Sequence, residues 1–337
     1  MSVVVVVLAA GCGGDDADDA ASTTTVPQTT SERGNVELEV TTVAQGLETV
    51  WALAWDPDGE LWVTERPGRL RRVGGEVIEV EGVVEQGEGG LMGLEIDDEG
   101  RMTVMYTATD ENRIVRIDRE GQQEVLVDGI PAGSIHDGGR LRLLPDGRLL
   151  ATTGETGDPS LAEDADGLAG KILVVDDGGG ASVFSSGHRN VQGLCWDAER
   201  DRLVVTEHGP DEGDEVDVVR QGDDGGWPQA VGNGDLRNYT PTIAPAGCTL
   251  YDAELIPQWR GSLLFVTLKD ESLRRLVLDD SGRVTDEEAL YQGRFGRLRD
   301  VRVGPDGAVY LATSNRDGRG EPREGDDRVL RIAPRGE

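Results

Sequence analysis

A pattern of strand, tight turn and strand recurs six times along this chain. "LAWDPDGELWVTE" occupies residues 53–65. Versions of it follow at 94–106 ("LEIDDEGRMTVMY"), 142–154 ("RLLPDGRLLATTG"), 194–207 ("LCWDAERDRLVVTE"), 250–267 ("LYDAELIPQWRGSLLFVT") and 301–313 ("VRVGPDGAVYLAT"). Successive copies start about 40 to 60 residues apart, a spacing that marks a repeat architecture. Each copy sets two runs of strand length around a turn, and in five of the six a glycine in that turn supplies a positive φ. Further strand-like pieces lie between the copies ("RLRRVGG", "RIVRIDREG", "KILVVDDGG", "SLRRLVLDDSG"), and no stretch sustains a helical period. A four-stranded unit of this size cannot bury both of its faces alone, whereas units stacked around an axis can. The expected fold is all-β: a six-bladed β-propeller of four-stranded antiparallel blades over residues 36–337. A two-sheet sandwich would also bury such strands, but gives no reason for the repeat. The strand "VELEVTTVA" near the start and "DRVLRIAP" near the end are expected to close the ring within one blade.

The first residues, "MSVVVVVLAAGC", hold an apolar run too short to span a membrane, followed by small residues and Cys12. Residues 1–12 are expected to be a lipoprotein-type signal segment; an ordinary signal peptide is the other reading. Residues 13–35 are acidic and rich in Thr, with almost nothing to bury, and are expected to form a disordered tether. The chain is then exported, as a cell-surface or periplasmic lipoprotein that meets the membrane only through a lipid on Cys12. A net charge of −32 makes nucleic acid a poor partner. Cys195 and Cys248 either pair in an oxidising compartment or sit as separate buried strand residues; the sequence is compatible with both.

Only three histidines occur: His136 in "SIHDGGR", His188 in "SSGHRNVQG" and His208 in "VTEHGPDEGDE". Each lies in a polar, glycine-flanked loop at the end of a strand. They are either three metal ligands or one catalytic base and two bystanders. Ligands of a propeller sit where loops from several blades meet. "GEGGLMG", "SIHDGGR", "GHRNVQG" and "GRLRDV" precede first strands of repeats; "GETGD", "EHGPDEGDE" and "TLKDES" follow second strands. Equivalent repeat positions should gather on one face, bringing together Glu88, His136, Glu155, Arg189, Asn190, Lys269, Arg297 and Arg299. Any single arginine in so acidic a chain is by default a partner in a surface ion pair. Lys269 fits that default less well, being one of only two lysines; the other, Lys171 in "LAGKIL", reads as structural.

"GHRNVQG", "EHGPDEGDE" with "GGWP", "LAGKIL" and "RLRDV" together resemble the glucose/sorbosone dehydrogenase family, over roughly residues 40–335. Soluble members of that family use pyrroloquinoline quinone (PQQ) and calcium on a six-bladed propeller. The resemblance implies oxidation of an aldose sugar to a lactone by hydride transfer, with electrons passing to an external acceptor. It makes His136 the general base and Glu155 the carboxylate that orients it, at a position usually held by aspartate. Arg189, Lys269, Arg297 and Arg299 match residues that bind PQQ, and Asn190 matches a partner of the quinone oxygens. The backbone carbonyls of Gly209 and Pro210 match the calcium ligands, and Glu215 matches a residue of a second calcium site. The chain departs from the family pattern in several places. Gly225 stands at the second site's tyrosine, Glu88 at a glutamine near the substrate, Ile135 at an acidic residue before the base, and Val191 at a proline. Two other readings compete: a calcium-dependent lactonase on a six-bladed propeller, and a non-catalytic lipoprotein that binds sugar or protein.

Overall fold

In a computed structural model, which describes residues 35–337, six four-stranded antiparallel sheets form a six-bladed β-propeller. The signal segment and all but the last residue of the tether lie outside the described residues. The first blade contains β2 (Val50–Trp55), β3 (Leu61–Glu65), β4 (Arg69–Arg72) and β5 (Val77–Glu79). The second contains β6 (Leu91–Ile96), β7 (Met102–Thr107), β8 (Glu111–Ile117) and β9 (Gln123–Pro131). The third contains β10 (Leu141–Leu143), β11 (Leu149–Thr152), β12 (Ile172–Val175) and β13 (Ala181–Ser185). The fourth contains β14 (Val191–Asp197), β15 (Arg202–Glu207), β16 (Asp214–Val219) and β17 (Arg237–Tyr239). The fifth contains β18 (Pro245–Tyr251), β19 (Ser262–Thr267), β20 (Leu273–Leu278) and β21 (Val284–Leu290). The sixth is built from both ends of the propeller: β22 (Leu298–Val303), β23 (Val309–Thr313) and β24 (Arg328–Pro334) are joined by β1 (Leu38–Gln45). β1 pairs with β24 from Leu38↔Pro334 to Gln45↔Arg328, closing the ring as its two terminal strands imply.

The six sequence repeats are the first two strands of the six blades. Their turns are held locally: in the first, Asp56 Oδ1 accepts the N–H groups of Asp58 (3.1 Å) and Glu60 (2.9 Å), while Gly59 takes a φ of +79°. First strands of neighbouring blades pack against one another around the axis. Apolar clusters fill the gaps between blades, the largest uniting blades one to three around residues such as Trp62, Leu91, Ile114 and Leu173. In five blades the ladder between first and second strands shifts register at its start, as between Val50 and Ala52 or Leu298 and Asp300. Such bulges re-aim side chains at the rim, where the polar loops enter.

Cys195 on β14 and Cys248 on β18 are joined in a disulfide, with Cα atoms 5.7 Å apart, so a covalent link ties the first strands of blades four and five. Lys171 is fully buried, and its ammonium donates to the carbonyls of Leu161 (3.2 Å), Ala162 (2.8 Å) and Ala169 (2.9 Å), a structural role. On the axis, Arg140 pairs with Asp300 (3.0 Å) and Arg302 with Glu95 (2.7 Å). These buried pairs, with Trp51 stacked on Arg140 at 4.2 Å, form a floor across the channel.

Candidate active site

Above that floor lies a cavity of about 510 Å³ at the end of the propeller where first strands begin. Glu88, His136, Arg189, Asn190, Gly209, Pro210, Lys269, Arg297 and Arg299 all line it. Loops from five blades thus converge on one mouth, as their shared repeat position requires. Glu155 lies just behind, buried, three residues past the second strand of blade three. Glu215 is not brought there. It sits on β16, and its carboxylate accepts the N–H groups of Gly232 (2.5 Å) and Asn233 (3.2 Å). Burial, reinforced by Glu207, pushes its pKa up to about 7 against the pull of those N–H donors. Gly225 packs so closely that an added Cβ would sit 2.8 Å from the Gly187 carbonyl, leaving no room for a tyrosine. Among the described residues, no group of three or more His, Cys, Asp or Glu side chains is arranged to hold a metal.

The three histidines do not share a ligand. His136 Nδ1 contacts Glu155 Oε1, and no described residue hydrogen-bonds its Nε2. The residue is held at a φ of +59°. That conformation is supported by its own N–H, which donates to Glu88 Oε2 (3.0 Å), and by Gly154, where a Cβ would collide with the His136 carbonyl. His188 is enclosed between Glu207 (2.9 Å) and Ser185 (2.8 Å). His208 lines the cavity, with Nε2 on the Pro245 carbonyl (2.8 Å); burial pushes its pKa down to about 4, so the ring is neutral.

The cations differ in how far the protein neutralises them. Arg297 is bound to Asp317 (2.8 Å), and burial raises the Asp317 pKa less than Arg299 and Arg297 lower it. Arg299 stands farther from Asp317 (3.7 Å) and donates to Gln192 (2.8 Å); its Nε is buried without a partner. Burial lowers the Arg299 pKa to about 10, which leaves it charged at neutral pH. Arg189 donates to the His208 carbonyl (3.1 Å) and stacks on Trp227 at 5.3 Å, with no carboxylate partner for its side chain among the described residues. Lys269 is exposed, and its ammonium likewise has no anionic partner among them. Asn190 Oδ1 accepts from Gln192 (3.0 Å) and from the Gly138 N–H (3.2 Å), so its amide nitrogen is left for other partners. The arrangement is a cationic bowl with one imidazole nitrogen open to it.

A model of the Glucose / Sorbosone dehydrogenase family matches residues 47–321. The chain belongs to the glucose/sorbosone dehydrogenase family. It is similar to the PQQ-bound aldose sugar dehydrogenase of Streptomyces coelicolor, at 36% identity and a TM-score of 0.78, covering 88% of this chain and 98% of that one. The aldose sugar dehydrogenase YliI of Escherichia coli (strain K12) is 27% identical, over 88% of this chain and 93% of the relative. A protein of Synechocystis sp. with no assigned activity, slr1608, is 32% identical over 84% of this chain and 85% of its own. This chain is therefore a member of a family of sugar dehydrogenases.

Several further residues of this family member's cavity have no role assigned by the motifs of the sequence. Asp137, directly after His136, is buried and accepts from Gly133 (2.9 Å) and Asn112 (3.0 Å) through Oδ1, while Oδ2 has no partner. Burial raises its pKa to about 6, against those two donors. Trp51 and Arg66 line the lower wall, and Arg319 the rim. Asp137 alone has a local signal, its adjacency to the candidate base; the others are assembled only by the ring.

Proposed function

We propose that this protein oxidises aldose sugars to lactones, with PQQ and calcium as cofactors and an external electron acceptor. The observation that carries the reading is the open Nε2 of His136 in the same cavity as Arg189, Lys269 and Arg299, cations that no carboxylate of the described protein closely neutralises. A small trianion fits that donor set: forked guanidinium groups suit carboxylates, and the partnerless Arg299 Nε is a buried donor without an acceptor. Asn190 and Arg189 would face the quinone oxygens, and the carbonyls of Gly209 and Pro210 would contribute two of the six to eight oxygens that calcium takes. Gly209 is closely packed in this loop, since a Cβ there would collide with the Glu212 carbonyl, and only glycine fits the position. When bound, PQQ supplies a two-electron acceptor and calcium a Lewis acid that polarises it.

His136 does the protein's share of the chemistry. Its Nε2 takes the proton of the anomeric hydroxyl as hydride leaves the same carbon, so the C1–H and O–H bonds break while the C=O forms. Glu155, on Nδ1, fixes the ring's orientation and compensates its charge once protonated. The lactonase alternative needs a metal held by side chains in the channel, whereas here Arg140, Asp300, Arg302 and Glu95 close the channel beneath the cavity. Export as a lipid-anchored protein through Cys12 is proposed on the sequence of residues 1–12, and the Cys195–Cys248 disulfide supports an oxidising compartment.

Purified protein mixed with PQQ and calcium, then given aldoses and an artificial electron acceptor, tests the reading. Acceptor reduction that requires both additions is the expected result. Hydrolysis of supplied lactones with no acceptor reduction would replace it with the lactonase, and neither activity would leave a binding protein.

A further inference from the structure

The loop between β23 and β24 carries Arg319 over the rim of the cavity. Its base is firmly held: the Arg319 N–H donates to Asp317 Oδ1 (2.9 Å), and Asp317 is locked to Arg297 (2.8 Å). Gly320 packs on the same arginine, where a Cβ would lie 2.9 Å from Arg297 Cδ. The guanidinium reaches out from this anchor to Glu88, Nη2 to Oε1 at 2.6 Å, with its side chain 60% exposed. Glu88 lies on the loop leading into blade two, so the pair runs from blade six past the whole of blade one. Trp51 and Arg66, blade one's contributions to the cavity wall, belong to the span it crosses. The other oxygen of Glu88 accepts the His136 N–H (3.0 Å). A strap of contacts thus crosses one side of the mouth and ends on the residue that would be the base.

Resting on the sugar-dehydrogenase reading, we propose that Arg319 is a specificity-determining residue. Strapped to Glu88, it limits the space beside His136 to a single sugar ring and disfavours saccharides extended by a second one. The cavity of about 510 Å³ has to hold both cofactor and substrate, so an arginine across its rim removes a large part of the approach. An exposed ion pair contributes little and reopens readily, so the strap narrows the mouth without sealing it. The pairing has a second consequence: it compensates the Glu88 carboxylate, whose pKa burial raises less than the His136 N–H and Arg319 lower it.

The cofactor-loaded parent, Arg319→Ala and Glu88→Gln proteins are compared with glucose and maltose in steady state. Calorimetric titration with 1,5-anhydroglucitol and its 4-O-glucosyl derivative, neither oxidisable at C1, reads the same selectivity without turnover. Arg319→Ala should raise the maltose-to-glucose ratio of kcat/KM about tenfold, mostly through KM, and reduce the binding preference for the single ring by a similar factor. Glu88→Gln, which frees Arg319, should move both ratios in the same direction. Unchanged ratios in both variants overturn the proposal. So does weaker PQQ loading of Arg319→Ala at unchanged selectivity, which would make Arg319 a cofactor ligand. If the loaded parent oxidises no aldose, the dehydrogenase reading fails, and the calorimetric preference alone still decides for or against the strap.

Discussion

Two histidine–glutamate pairs occupy equivalent places in blades three and four. His136 and Glu155 are separated by 19 residues, and so are His188 and Glu207. In each, the histidine precedes the first strand, the glutamate ends or follows the second, and Nδ1 meets the carboxylate. Their surroundings then diverge. The His188 side chain is 2% exposed and its Nε2 is bonded to Ser185; Glu207 also accepts the N–H groups of Arg189 and Asn190. The His136 side chain is 14% exposed, and its Nε2 faces the cavity. One pair braces the loop that carries Arg189 and Asn190; the other leaves a ring nitrogen open to the cavity. The free second nitrogen, not the pairing, distinguishes a candidate base from a brace.

The widest gap between the pairs is expected on removal of each imidazole. His136→Ala should lower kcat by about 10²–10⁴-fold while the melting temperature changes little, since the ring borders open space. His188→Ala should do the reverse. It leaves Glu207 and Ser185 without their buried partner, at about 2–4 kcal/mol of stability, and keeps most activity per loaded molecule. Kinetics alongside denaturant unfolding measures both, and a silent but stable His188→Ala protein would break the comparison.

The next largest effect concerns the covalent link. Blade four, which holds the brace, is tied to blade five by Cys195–Cys248, closing a loop of sequence separation 53. In a chain-entropy account such a link is worth up to about 4 kcal/mol. Replacing both cysteines by serine should lower unfolding stability by about that much. It should also weaken PQQ binding more than it changes the turnover of His136, because Arg189 and Lys269 stand on those two blades. An equal loss of turnover at saturating PQQ would show that blade three depends on the link too.

The smallest effect sharpens the contrast one residue further on. His136 is followed by the buried acid Asp137, His188 by the cation Arg189. Asp137 has a folded pKa of about 6 against 3.8 as a free side chain, so the native state holds its proton more tightly than the unfolded one. Stability from this group is therefore present at low pH and is lost as pH rises from about 4 through about 6. Asp137→Asn keeps an acceptor at Oδ1 for Gly133 and Asn112 and has no charge to bury. The variant should match the parent near pH 4 and exceed it by roughly 1–3 kcal/mol at pH 8. Unfolding curves at the two pH values check the sign.

Much of this molecule is legible in its residues alone. Alternating apolar runs and short polar turns act between residues a few positions apart, so six inner hairpins are visible as contiguous text. The blade count and the closing strands follow from them. The candidate site is legible where function sits at a fixed repeat position, as with His136, Glu155, Arg189 and Lys269. Arginines are harder: Arg297 and Arg299 at the cavity read much like Arg140 and Arg302 of the channel floor. Their fates depend on register and a bulge at Leu298 and Asp300.

The sequence by itself determined the fold class, the number of blades and the kind of side chains at the mouth, because strand period and turn chemistry are local. Only the tertiary structure decided that Cys195 meets Cys248 and that Gln192 receives Arg299 from 107 residues away. The same holds for the reach of Arg319 past blade one to Glu88, and for the choice of His136 over His188 as the open imidazole. Each of these depends on distances across a closed ring, which exist only after six separately encoded units have packed around one axis.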